Sequence, residues 1–295
     1  MEKGQLSFGK LPDLRQPDMV IALAGWSDAA KVATGTVLYL ARTLDAVGFA
    51  QIAGDQFYDF SAARPEITIN NGLIKLIQLP GNSLFYWQND KADHDLVLFH
   101  GIEPHLHWQK FVDAVLEIAL SLKIRRVYAL GGLHDNIPHT MEPRMSGVVN
   151  KDELLSILKD HNIEPINYHG PSSMHSFLMT ACAQQGIEAI SLWGHAPFYV
   201  RVETNHMVCL GLVKKLIELM EIEVDLTELI KAGEYLNEML NRLLGDSEEL
   251  QQYIKTLEEQ YEIDGTAPRE PSPGAERIIR EVEDFLHNQR RKEET

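Results

Sequence analysis

Cysteine is nearly absent: Cys182 and Cys209 are the only two in 295 residues, and they are far apart in sequence. That excludes a disulfide framework, a four-cysteine zinc site and a CxxC redox pair. No apolar run approaches the ~18 residues of a membrane span. The opening residues Met1-Glu2-Lys3-Gly4-Gln5-Leu6 lack the apolar stretch of a secretory signal. Positive charge is also in deficit, with 27 basic against 43 acidic residues and a net charge of −16. Most of the imbalance lies in residues 221–295, where 20 acids face 9 bases. An acidic surface without a basic stripe repels phosphate backbones. The expectation is a soluble cytoplasmic protein with neither a nucleic-acid nor a membrane partner.

What is present is ordinary globular composition: 44% hydrophobic and 24% charged, enough apolar material for a core without staples. Residues 1–220 alternate short apolar strands with helical stretches, the pattern of an α/β sandwich. Met19–Ala24 reads as a buried first strand that leads through Gly25-Trp26-Ser27-Asp28 into a helix ending near Leu44, capped by Ser27 or Asp28. Asn71-Gly72 between Glu66–Asn70 and Leu73–Leu79 predicts a hairpin. Leu96–Phe99, Arg126–Leu130 and Glu188–Trp193 read as further strands, with a long polar loop from Leu133 to Val148. Helices are predicted near Leu106–Leu122, over Ser172–Gln185 with Gly186 ending it, and over Asn205–Met220. Residues 221–295 form a separate acidic helical region, with a Pro/Gly-rich linker at about 264–274. Its last helix, Ala275–Asn288, carries Ile278, Ile279, Val282, Phe285 and Leu286 on one face, and that stripe must dock on the domain or on another subunit.

Several lookalikes fail on geometry. Gly4-x4-Gly9-Lys10 lacks the following Ser or Thr of a P-loop and precedes the first strand. Gly25-Trp26-Ser27-Asp28-Ala29 has the strand-to-helix placement of a nucleophile elbow, but no base or oxyanion partner is visible near Ser27. His100, His105 and His107 surround Glu103-Pro104, yet residues two apart in a helical turn do not converge on a metal. No catalytic residue, metal or cofactor is assigned. The loops after the parallel strands are different, because ligands of α/β sheets bind beyond the carboxyl ends of the strands. Asp28, Glu103, Asp135 and His139 are therefore candidates for one polar pocket. Asp28 also suits a bracing role at a helix start, whereas Glu103, just before Pro104, is assigned to the pocket.

At these same positions the sequence resembles the proteasome assembly chaperone 2 family. The matching segments are Ala22–Ala30, Asp59-Phe60-Ser61-Ala62-Ala63-Arg64-Pro65, Gly101-Ile102-Glu103-Pro104 with Trp108, Ile137-Pro138-His139-Thr140, Gly170-Pro171-Ser172, and Ser191-Leu192-Trp193 with Pro197 and Tyr199. They keep one order across residues 22–199. Similar bacterial members read Pro-His-Thr-Arg; here Met141 follows Thr140 and the arginine is Arg144. Relatives that dock on proteasomes end in a hydrophobic-Tyr-X tail, whereas this chain ends Arg291-Lys292-Glu293-Glu294-Thr295, so insertion of the tail is not expected. The resemblance implies a three-layer α/β/α sandwich similar to purine nucleoside phosphorylases and related hydrolases, with a helical C-terminal extension. It also implies homo-oligomers and protein clients rather than a defined reaction. The strand-end loops and matched segments together give the candidate pocket Gly25, Trp26, Asp28, Gly101, Glu103, Asp135, His139, Thr140, Gly170 and Ser172. The leading expectation is a non-enzymatic, assembly-chaperone-like binding protein. The alternative is a small-molecule hydrolase or nucleoside-phosphorylase-like enzyme working in that pocket.

Overall fold

In the computed structural model, residues 6–8, 11–264 and 275–293 are described. The predicted linker and the last two residues of the tail lie outside them. In chain order the strands are β1 (Leu6–Phe8), β2 (Asp18–Ala24), β3 (Val47–Ile52), β4 (Glu66–Asn70), β5 (Leu73–Gln78), β6 (Asn82–Trp87), β7 (Leu96–Ile102), β8 (Arg126–Asp135), β9 (Met145–Val149), β10 (Glu164–Pro165) and β11 (Glu188–Pro197). The helices are α1 (Val32–Thr43), α2 (Trp108–Ser121), α3 (Leu155–Asp160), α4 (Met174–Gln184), α5 (His206–Met220), α6 (Thr227–Asp246), α7 (Glu248–Asp264) and α8 (Ala275–Glu293).

Among the described residues one sheet holds nine strands in the order β1-β3-β6-β7-β2-β8-β11-β9-β10. Its centre, β7-β2-β8-β11, is parallel, and β6 and β9 flank that centre antiparallel. Parallel strands are covered on both faces, and β2 shows why: alternate residues feed two separate cores. Met19, Ile21 and Leu23 pack with Phe111, Val115 and Ile118 of α2 and with Met174, Leu178 and Cys182 of α4. Val20 and Ala22 pack with Val37 and Leu40 of α1 and with Val208, Leu212 and Leu216 of α5. The result is a three-layer α/β/α sandwich.

Two details differ from the sequence expectations. β8 does not stop at Leu130 but runs through Gly131-Gly132 to Asp135, because it pairs in register with β11 as far as Asp135↔Pro197. The polar loop shrinks accordingly, and β9 then inserts beside β11. The helix after Pro104 begins only at Trp108, since His107 has φ 57° and cannot extend a right-handed helix backward. The C-terminal helices add a third core, in which Ile278, Val282 and Leu286 of α8 are buried with Leu240, Leu250 and Ile254 of α6 and α7, beside Tyr199 and Val200. The terminal apolar stripe is thus covered by its own chain.

Candidate functional site

The strand-end residues are placed first by backbone constraints. After β2, Gly25 takes φ 140°, and a Cβ there would meet the Cβ of Glu103 at 3.1 Å. A 3-10 turn, Ala29–Lys31, follows, with Ala30 and Lys31 both left-handed at φ 50° and 46°. Such residues are held only where the surroundings over-determine them. Asp28 supplies that: one carboxylate oxygen accepts from the amides of Ala33 (2.8 Å) and Thr34 (3.2 Å), the other from the Thr34 hydroxyl (2.5 Å). Burial is the main influence on this carboxyl and raises its pKa, against the pull of those hydrogen bonds. The preceding residue, Ser27, accepts the Gly132 amide on its carbonyl, tying the turn to β8, and its own hydroxyl is buried with no partner.

Glu103 also braces. Its carboxylate accepts the Met174 amide at 2.8 Å and thereby caps the start of α4. Gly101 lies in β7 against Asn82, whose side-chain oxygen would be 2.1 Å from a Cβ at that position. His139 is buried against Tyr199, whose hydroxyl meets its Nδ1 at 2.6 Å, and burial lowers its pKa to about 4. The Thr140 hydroxyl donates to Glu258 of α7. Gly170 and Ser172 lie on the exposed connection before α4, where the Ser172 hydroxyl donates to the Ser173 carbonyl. These residues do not converge on one polar pocket.

Asp135 belongs to a different arrangement that the sequence did not suggest. Its Oδ2 is 2.7 Å from His195 Nδ1, and His195 Nε2 is 2.7 Å from the Ser146 hydroxyl. Burial pushes the Asp135 carboxyl up, but the hydrogen bonds from His195 and the Asn136 amide, with Arg144 nearby, hold it below the usual carboxylate range. Carboxylate, imidazole and hydroxyl stand in the order of a nucleophilic triad. Ser146, however, is 3% exposed within β9 and lines neither the large cavity described next nor the small recess beside His195. The relay is a cross-strand pin joining β8, β9 and β11. Arg144, one residue before β9, adds ion pairs to Asp135 and Glu164. Asp135 was a candidate from its loop position; for its partners the signal was His195, near the end of a mostly apolar strand.

The large cavity, about 700 Å³, lies between α4 and the β8-β11-β9 side of the sheet. Of the expected pocket residues it takes only Trp26; its walls are otherwise Val148, Ile166, Tyr168, Met179, Ser191, Trp193 and their neighbours. Trp193 lies flat against Gly131, where a Cβ would approach its ring to 2.5 Å. Among the described residues no group of His, Cys, Asp or Glu is arranged to hold a metal ion, and no helix is long and apolar enough to cross a membrane.

A second surface stands away from the sheet. Asn71 and Gly72, at φ 50° and 76°, close β4 and β5 into a tight hairpin, as the sequence predicts. Every residue of both strands is exposed. A register shift after Thr68 sets Ile67 opposite Ile77 and Ile69 opposite Ile74, so four isoleucines share one face. Each is at least half exposed.

Fold and surfaces define an α/β/α sandwich protein with a large, mostly apolar cavity open at its rim and a projecting apolar hairpin. The family model described as the PAC2 family matches residues 22–244, and the chain belongs to that family. A PAC2 family protein from Streptomyces avermitilis is similar at 31% identity, with a TM-score of 0.74 over 81% of this chain and 99% of that one. A Mycobacterium tuberculosis proteasome-assembly chaperone homologue is similar at 27% identity and a TM-score of 0.74, covering 80% of this chain and 99% of that one. An archaeal proteasome activator from Pyrococcus furiosus shares the fold at 18% identity and a TM-score of 0.65, over 81% of this chain and 97% of its own. No curated protein sequence matches the chain.

Proposed function

We propose that the chain is a self-associating, protein-binding member of its family with an assembly-chaperone-like role in the cytoplasm, rather than an enzyme. The observation that carries this is the isoleucine face of β4–β5. A two-stranded hairpin on its own is marginal in water, and an apolar patch on a projecting arm marks an interaction surface. The family relationship and the chaperone name of the mycobacterial relative support a protein as the kind of partner. The buried placement of Ser146 argues against the Asp135–His195–Ser146 group acting on a substrate.

The test is light scattering on the double variant Ile69→Lys/Ile77→Lys, whose side chains touch no core. The parent protein is expected at a multiple of 33.4 kDa at micromolar concentration and the variant at the single-chain mass. A parent that runs as a single chain, or a variant that keeps the parent's mass, overturns the reading.

A further inference from the structure

The cavity beside α4 plays no part in the hairpin surface, and its chemistry points to a ligand of its own. At about 700 Å³ it falls within the ~300–1,000 Å³ span of small-molecule sites. Among the described residues its lining holds no Lys, Arg, Asp or Glu, so nothing there would neutralise an ionic ligand, and the chain's net charge of −16 opposes an anion. Flat rings border it: Trp193 inside, and Trp26 and Tyr168, both largely exposed, at its rim.

Two lining residues each carry a buried ring nitrogen without a partner, Nδ1 of His134 on β8 and Nε2 of His175 on α4, and only the second lies beside Trp193. His175 on α4 is 2% exposed, its ring 5.2 Å from that of Trp193. Its Nδ1 is 3.3 Å from the Ser191 hydroxyl, while Nε2 is buried and makes no hydrogen bond. Leaving such an atom unpaired costs a folded protein stability, and such atoms call for an explanation. Burial also lowers the pKa of this imidazole to about 4, so it is neutral at physiological pH and offers one donor or one acceptor, not a charge.

We propose that this cavity binds an uncharged, planar heteroaromatic molecule bearing a ring N–H donor and a ring-nitrogen acceptor, stacked along Trp193 and hydrogen-bonded to His175 Nε2. A ligand with both groups satisfies Nε2 in either tautomer that the Ser191 contact allows. The structure gives the ligand no reaction to undergo; the site is for binding.

The experiment titrates the full-length protein at pH 7.5 with three probes, followed by tryptophan fluorescence and calorimetry. Benzimidazole carries both groups, naphthalene has similar shape without them, and benzimidazole-5-carboxylate adds a negative charge. Saturable one-to-one binding of benzimidazole is expected, about tenfold tighter than either other probe, the ratio that one satisfied buried hydrogen bond provides. His175→Phe keeps the ring and removes its nitrogens, and is expected to make benzimidazole and naphthalene equivalent, whereas His134→Phe, which removes the other unpaired nitrogen of the lining, is expected to leave the preference intact. Thr180→Trp, on the exposed rim of the cavity, is expected to abolish binding of all three while leaving the melting temperature unchanged. It decides the matter if His175→Phe does not fold. No saturation at millimolar benzimidazole, binding untouched by Thr180→Trp, tightest binding of the carboxylate, or a His175→Phe protein that still prefers benzimidazole would each overturn the proposal.

Discussion

Asp28 can be tested quantitatively because its partners are few and buried. Three donors converge on it, the Ala33 and Thr34 amides and the Thr34 hydroxyl, immediately after two left-handed residues. Losing a helix cap to alanine costs ~0.5–2 kcal/mol, and each buried donor left without a partner adds ~1–3 kcal/mol. Thr34 is 4% exposed, and its hydroxyl can rotate to another acceptor where its amide cannot. We therefore expect Asp28→Ala to destabilise by about 3 kcal/mol. At roughly 2 °C per kcal/mol for a chain of this size, the melting temperature falls by about 6 °C. Asp28→Asn retains an oxygen for the Ala33 amide and removes a carboxylate whose burial raises its pKa, so it should stay within about 1 kcal/mol of the parent. Sign follows from the same shift: a carboxyl with its pKa raised in the folded state favours folding most in its protonated form, and that advantage is lost as pH rises through its folded pKa. The gap between parent and Asp28→Asn should therefore narrow or reverse as pH rises above the ordinary carboxylate value of 3.8. Chemical denaturation at pH 5 and pH 7.5 measures both variants. If Asp28→Ala matches the parent, the carboxylate does not hold the turn and the reasoning fails.

Ala30→Gly, at φ 50°, should raise stability by about 0.5 kcal/mol, because relief of the left-handed strain exceeds the entropic cost of glycine; a fall in the urea midpoint would contradict this. His139 and His175 are buried with pKa values of about 4, below the ordinary 6.5, so the unfolded chain takes up protons that the folded one refuses. Stability present above pH 6.5 should be lost as pH falls toward 4, by up to about 3 kcal/mol for each histidine, and a denaturation midpoint that is flat from pH 7 to 5 would refute it. Val282→Ala, at a fully buried position of α8, should cost ~1–2 kcal/mol and leave the mass by light scattering at the parent's value, since the helix docks on its own chain. A variant that falls to a smaller mass than the parent would instead place α8 on a neighbouring copy.

Local chemistry was enough to read the elements whose causes are local. Asn71-Gly72 closes the hairpin because only such residues accept two successive left-handed conformations cheaply, and Gly186, at φ 75°, follows α4 for a related reason. The continuous apolar run of β2 and the helical spacing of Ile278, Val282 and Leu286 announced burial, and both are buried. Asp28 at a helix start was legible as a brace through its position alone. What covers a face was not legible, because periodicity says that a stripe must be buried but not against what: α8 found α6 and α7, whereas the isoleucines of β4–β5 found no cover among the described residues. The length of β8 depended on its in-register partner β11, some sixty residues later. The pin of Asp135, His195 and Ser146 required β9 to insert antiparallel beside β11. His175 and Trp193 lay in sequence within a predicted helix and at the end of a predicted strand, with nothing to join them. Only the packing of α4 across the sheet leaves the space between them that makes an unpaired imidazole nitrogen and an aromatic wall into a cavity.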